Sequence, residues 1–296
     1  MIAMVGNAFS PRYFRARQQK TAANPIDYSS LHVAVYGPGK GAFAFTERAS
    51  HDVFRSRDAL AFGASTLTWE TTPSGEDALV VRIHEVTSPF PSLVPKKLQG
   101  TVTLVPRHTV DEPIALDAKG RHMWYCHAPD ARVSVRLDEP GLSFDGSGYL
   151  DENGGDEGLE AAFSTWQWCR ASLPSGRAFV HYATQESRER GLGRRTSSRL
   201  FSNGTSTRAV PPRELDLGRT LFGLERHVRL DAGFSPTYVR TLEDGPHYAR
   251  TLVRGRVLGE DAFMMHETFD GERFRAPWVR FLLPFRMRGG RAGLVP

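Results

Sequence analysis

Arg132-Val133-Ser134-Val135-Arg136-Leu137 alternates apolar and polar residues over six positions. In an extended chain successive side chains point to opposite faces, so Val133, Val135 and Leu137 share one face and Arg132, Ser134 and Arg136 the other. That is the signature of a half-buried β-strand. Similar short runs, rich in Val, Thr, Phe and Tyr, recur at Leu31 to Tyr36, Ala42 to Thr46, Leu79 to Val86, Gln99 to Val105, Ala178 to Ala183 and Tyr238 to Leu242. Gly, Pro, Asn and Asp punctuate them. Many short strands with frequent turns predict an all-β chain built as barrels or sandwiches. Only two segments read as helix: Pro11 to Gln19, and one or two turns within Glu157 to Trp166.

The length of 296 residues suggests about two domains. The run from Asp138 to Gly148, DEPGLSFDGSG, has the Asp, Pro and Gly of a linker or tight corner. It places the boundary between domains 1–140 and 141–296. The bend Gly37-Pro38-Gly39-Lys40-Gly41 is glycine-rich but lacks phosphate-loop spacing, and reads as a hairpin turn. The polar segment Glu186 to Arg199 carries Arg188, Arg190, Arg194, Arg195 and Arg199. It is read as a solvated hairpin loop, with contact to anionic lipid headgroups as the functional alternative.

Hydrophobic residues make up 40% of the chain and charged residues 24%, proportions that support a sizeable core. No stretch approaches the ~20 apolar residues of a spanning helix, and Met1 to Ser10 lacks the features of a signal peptide. A cytoplasmic protein is expected, free or resting on a membrane. The net charge of +5 suits an anionic lipid surface or nucleic acid. Nucleic acid is disfavoured, because the one Arg-rich run contains no aromatic for base stacking. Cys126 and Cys169 have neither metal-ligand nor redox spacing and are expected to be free thiols.

Two segments carry candidate chemistry. In GRHMWYCHAP, 120–129, His122 and Trp124 are two apart and share a strand face, with His127 on the other. In GYLDENGGDEGLE, 148–160, Tyr149 and Asp151 are likewise two apart. Asp151, Glu152, Asp156 and Glu157 crowd a glycine-rich bend that does not match an EF-hand loop. Read blandly, the first pair packs a core and the acids are hydrated. Together, the four residue types fit water addition to an unactivated alkene. That reaction needs an acid strong enough to protonate carbon, and burial keeps a carboxyl protonated. It also needs aromatic faces beside the cation and a neutral histidine to take the proton of water. Trp166 and Trp168 line a pocket or pack a core, with packing favoured. His266–Glu267 and the run PWVRFLLPF, 277–285, are read as a final strand or lip. No nucleophile-elbow, zinc or dinucleotide fingerprint occurs, and no metal site is expected.

The chain resembles the carotenoid 1,2-hydratases, also called hydroxyneurosporene synthases, of photosynthetic bacteria. The resemblance rests on VGNAFSPRYFRAR, HVAVYGPG, FAFTER, RIHEVTSPFP, GRHMWYCHAP, GYLDENGGDEGLEAAFSTWQWCRASLPSG, RTLEDGPHYAR, HETFDGERF and PWVRFLLPFRMR, collinear over roughly residues 4 to 288. It implies two lipocalin-like (calycin-type) β-barrel domains with few short helices. It implies hydration of the terminal double bond of acyclic carotenoids such as neurosporene or lycopene, with no cofactor, at the inner photosynthetic membrane. The family's proposed catalytic residues fall on His122, Trp124, Tyr149 and Asp151. Trp166, Trp168, Tyr248 and Trp278 are assigned to substrate contact. Two other functions remain open: a cofactor-free isoprenoid or polyketide cyclase, and a non-catalytic lipid carrier. Oligomeric state is not legible in the sequence.

The chain departs from the family at two places. Gly154 stands where the family usually has tryptophan, so packing near Asp151 is expected to differ. The family also usually carries a further N-terminal strand before the point where Met1 stands. A version extended upstream is therefore expected to show a higher thermal midpoint and more hydratase activity; equality on both counts would refute this.

Overall fold

The structure, a computed structural model, describes residues 1–19, 23–37, 41–88 and 94–289. The proposed bend at 38–40 lies outside them. All seven strand segments read from the sequence are strands. The opening hexapeptide lies within the strand His122–Glu139. There Val135 and Leu137 are buried and Arg132 and Arg136 exposed, as the period-two pattern requires. The all-β class with few short helices is therefore the observed one.

The chain forms two compact units. The first comprises Met1–Val105, Arg132–Gly146 and Arg280–Pro296; the second comprises Pro106–Ala131 and Ser147–Val279. Each of the two longest strands, His122–Glu139 and Leu142–Gly155, divides between them. The Asp138 to Gly148 run includes the turn of the hairpin that joins these strands, with Gly141 at φ +75°.

In the first unit Ile2–Met4, Ser29–Val35 and Ala42–Arg48 form an antiparallel sheet, to which Arg288–Gly289 adds in parallel. The larger sheet runs through Lys97–Pro106, Asp77–Val86, Ser65–Thr71 and Ala59–Phe62 to Val53–Arg55. Its interior carries the carboxylate of Glu85, which accepts from Ser65 Oγ at 2.7 Å, Thr46 Oγ1 at 2.6 Å and Arg48 Nη2 at 2.9 Å.

The second unit is organised by a seven-stranded antiparallel sheet. Its order is Thr205–Arg208, Arg194–Ser202, Ala178–Glu186, Phe163–Ser172, Glu260–Asp270, Tyr248–Val257, Tyr238–Asp244. Both faces are packed. Cys169, Phe179, Val253 and Met264 lie in one cluster, and Trp168, Val180, Tyr182 and Trp124 in another. Among the described residues no pairing joins the ends of either large sheet, so the expected closed barrels are replaced by open sheets. The last strand, Tyr238–Asp244, presents mostly exposed residues and Arg240, features that blunt an unpaired edge.

One local expectation holds and one changes. Glu157 to Trp166 yields a single helical turn, Leu159–Ala162, as expected, and it stops there because Phe163 begins a long paired strand. PWVRFLLPF is helical, as Pro277–Leu282 followed by a 3-10 turn at Leu283–Arg286, rather than a strand. Proline suits a first helical turn, where its missing N–H has no partner to lose. The helix Pro11–Gln18 is as expected, capped by Ser10 Oγ accepting from the Tyr13 N–H at 3.1 Å. No helix among the described residues is long and apolar enough to cross a membrane.

Gly100 has φ +146°, and a Cβ there would lie 2.2 Å from the Arg136 carbonyl oxygen on the adjacent strand. Gly100→Ala should therefore destabilise the fold by about 2 kcal/mol, seen as a thermal midpoint several degrees lower. An unchanged midpoint would contradict the close approach.

Candidate active site

The site is built on the Trp168 side of the seven-stranded sheet. Strand register places Tyr182, Trp168, Glu267, Arg250 and Glu243 in one transverse row. The neighbouring row holds Thr184, Trp166, Phe269 and Tyr248. Trp124, from His122–Glu139, and Tyr149, from Leu142–Gly155, pack on this face. Trp124 meets Tyr182 edge-on at 5.4 Å between centroids, and Tyr149 tilts against Trp168 at 5.6 Å.

Asp151 receives two hydrogen bonds on one oxygen. Trp124 Nε1–H donates to Oδ2 at 3.0 Å and the Tyr149 hydroxyl donates to the same atom at 3.1 Å. Among the described residues no donor reaches Oδ1 and no cationic side chain pairs with Asp151. Part of the residue reaches solvent, yet burial of the carboxyl is the largest influence on its acidity and lifts its pKa to about 6. The Tyr149 hydrogen bond opposes the rise, the charge of Glu267 adds to it, and the Trp124 hydrogen bond opposes it. The result is a carboxyl that is readily protonated yet has two donors ready for its anion.

Arg170 fixes the strands that carry these groups. Its guanidinium donates to the carbonyls of Pro129 and Gly148, each at 3.0 Å, and lies 5.1 Å from the centre of the Tyr149 ring. One face of Tyr149 is thus occupied by a cation.

His122 is buried but sits elsewhere. Its ring packs on Phe163, and its Nε2 lies 3.6 Å from Glu157 Oε1. Burial lowers its pKa, so the ring is neutral near pH 7. Arg190 pairs with Asp117 and Glu157, closing a charged cluster around it. Gly155 is required here: a Cβ would stand 2.4 Å from His122 Nδ1. Asp151 lies four residues back along the strand from Gly155, about 13 Å at the rise of a strand. The structure joins Trp124, Tyr149 and Asp151 by hydrogen bonds, and holds His122 beside Gly155, four strand residues from Asp151.

Of the proposed substrate-contact residues, Trp166, Trp168 and Tyr248 share the site's face, Trp166 against Phe269 at 4.6 Å. Trp278 is 50% exposed on the helix Pro277–Leu282 and makes no ring contact among the described residues. The acidic bend is an extended strand as far as Gly155. His127, on the opposite face as expected, meets exposed Glu152 at 3.3 Å. Gly154 alternates away from Asp151, and a Cβ there would meet nothing within 4 Å. Of the five arginines at 188–199, Arg190, Arg194 and Arg199 are engaged by Asp117, Glu214 and Glu112. Cys126 and Cys169 are free and buried, their thiols pushed up to about 12 by burial. Tyr182, Arg170 and Arg250 were missed in the sequence, because only strand register brings them to this face.

The family model described as carotenoid hydratase CrtC matches residues 1–293. The chain belongs to this family. An acyclic carotenoid 1,2-hydratase of Thiocapsa roseopersicina is 36% identical over 288 residues, 97% of this chain and 68% of that protein. Another, from Cereibacter sphaeroides, is 33% identical over 287 residues, 97% of each. A solved AttH-type structure from Nitrosomonas europaea aligns with TM-score 0.54 at 15% identity, covering 82% of this chain and 81% of that one. That likeness is one of fold alone and agrees with the lipocalin-like class expected of the CrtC family.

The raised pKa carries a sign for stability. A carboxyl near 4 when unfolded and about 6 when folded favours folding below pH 4, and the favour is lost as pH rises through 6. Above pH 6 the buried anion costs on the order of 2–3 kcal/mol. Asp151→Asn should therefore raise the thermal midpoint at pH 8, with the gain vanishing near pH 4. A lower midpoint at pH 8 would contradict the burial cost.

Proposed function

We propose that this chain hydrates the terminal C1–C2 double bond of an acyclic carotenoid such as neurosporene or lycopene. The observation that carries this reading is the Asp151 carboxyl, buried without a salt-bridge partner, held on Oδ2 by Trp124 and Tyr149 and open at Oδ1.

Hydration of an unactivated alkene begins with proton transfer to carbon. With the proton on Oδ1, Asp151 donates it to C2, and both hydrogen bonds on Oδ2 stabilise the carboxylate that remains. The positive charge develops on tertiary C1. The Trp124 indole, buried beside the carboxyl and hydrogen-bonded to it, is the aromatic group nearest to where that charge would develop. Tyr149, one face of which is already covered by Arg170, acts chiefly through its hydroxyl. Water then attacks C1 to give the tertiary alcohol. No cofactor is needed for these steps. The names of the curated relatives support the substrate class. A carotenoid dissolves in lipid, so the protein would work on the cytoplasmic side of the inner photosynthetic membrane. Arg188 and Arg195, exposed on and just after a 3-10 turn at Arg188–Arg190, suit anionic headgroups.

Two experiments test the acid. Asp151→Asn, an amide that cannot protonate carbon, should reduce hydration of lycopene by about 10²–10⁴-fold or more while remaining folded. Near wild-type turnover by a folded variant would remove Asp151 from this role. In the wild type, kcat/KM should fall as pH rises through about 6, because the acid form is consumed. Tyr149→Phe removes the strongest influence holding that pKa down, so the fall should move to higher pH. A shift to lower pH would be inconsistent with the observed hydrogen bond. Trp124→Phe, which keeps a ring, should lose less rate than Trp124→Ala.

A further inference from the structure

The hydration proposed above needs a group to take the proton of the attacking water, and the placement of His122 does not supply one beside Asp151. Another group on the same face does. Glu267 is the direct cross-strand neighbour of Trp168, the indole against which Tyr149 tilts, and Tyr149 in turn donates to Asp151. Trp168 and Tyr149 thus link the two carboxyls.

The way Glu267 is held resembles the way Asp151 is held. Arg250 Nε and Nη2 approach Glu267 at 2.8 and 2.7 Å, and both contacts fall on Oε1. No donor among the described residues reaches Oε2. Each carboxyl therefore has one oxygen fixed by two donors and one oxygen open. The donors differ in kind. Asp151 has a neutral indole and a neutral phenol, which leave its protonated form accessible, whereas Glu267 has a guanidinium, which suits its anion. Arg250 is itself backed by Glu243, at 3.4 Å, in the next position of the row. The Glu267 charge is also felt at Asp151, where it favours the protonated form.

We propose that Glu267, gripped by Arg250, is the base that receives the proton of the attacking water. The inference rests on the hydratase reading. The Asp151 O–H bond breaks as C2–H forms from the π pair. A lone pair of water then forms the C1–O bond, and one water proton passes to Glu267. The cycle closes when that proton returns to Asp151, directly or through water, so alkene and water are consumed and nothing else changes. A division of labour between a protonated and an ionised carboxyl is a general solution for acid–base chemistry at one bond.

The test uses full-length protein with lycopene in detergent micelles, in ¹⁸O-labelled water and separately in D₂O. The wild type should give alcohol carrying the label. Glu267→Gln should form alcohol about 10²–10⁴-fold more slowly. Asp151 still protonates C2 in this variant, and the cation, not captured, returns a hydrogen to Asp151. Deuterium should therefore still enter C2 of recovered lycopene, which a merely structural loss would abolish. Asp151→Asn should lose both. Should Glu267→Gln not fold, Glu267→Ala with added formate replaces it, and recovery of alcohol formation in proportion to formate supports the assignment. Alcohol formation by Glu267→Gln within about threefold of wild type, loss of deuterium entry by folded Glu267→Gln, or failure of formate to rescue would each overturn it. Absence of labelled alcohol from the wild type would instead sink the hydratase reading, and this inference with it.

Discussion

Burying a carboxyl without a salt bridge is costly, and the second unit is arranged around that cost at Asp151. The donors Trp124 Nε1–H and Tyr149 O–H share one oxygen of the carboxyl. Neither is charged, so they reduce the penalty without cancelling it. A cation in their place would hold the group as a firm anion, while an apolar pocket alone would leave an acid whose anion had no support. The intermediate value of about 6 follows from the combination.

The donors can meet Asp151 because three alternations agree. Trp124 sits two residues from His122, Tyr149 two from Asp151, and Trp168 two from Trp166, so each pair shares a strand face. Arg170 then ties the strand of Trp124 to the strand of Asp151 through the carbonyls of Pro129 and Gly148. A slip of one residue in any of these strands would turn its contribution to the opposite face. The same sheet keeps Cys169, flanked in register by His181 and His266, on its other side. Burial holds both histidines neutral there, each near pKa 3, away from the acid.

The sequence misread one element and left the placement of two residues undecided, for identifiable reasons. PWVRFLLPF is apolar enough for a strand, but Pro277 opens a helical turn, and a nine-residue apolar run has no period of its own to decide the matter. His122 shares a strand face with Trp124, which sequence spacing shows, but sharing a face does not fix distance along it. Gly155, packed under the His122 ring, places the histidine about four residues of strand from Asp151. Gly154, singled out because the family usually has tryptophan there, alternates away from Asp151 in the strand, and a Cβ there would meet nothing within 4 Å.

By itself the sequence determined the all-β class, the strand segments and the two pairs that hold Trp124, Tyr149 and Asp151, because strand periodicity is a local property. Its collinear motifs also determined the family. Tertiary structure alone decided which pairs converge, that the sheets stay open, and that Glu267 and Arg250 lie in one row with Trp168. Those facts depend on register between strands up to about a hundred residues apart, such as Phe163–Ser172 with Glu260–Asp270. Register is set by the summed packing of both sheet faces, and no local pattern encodes it.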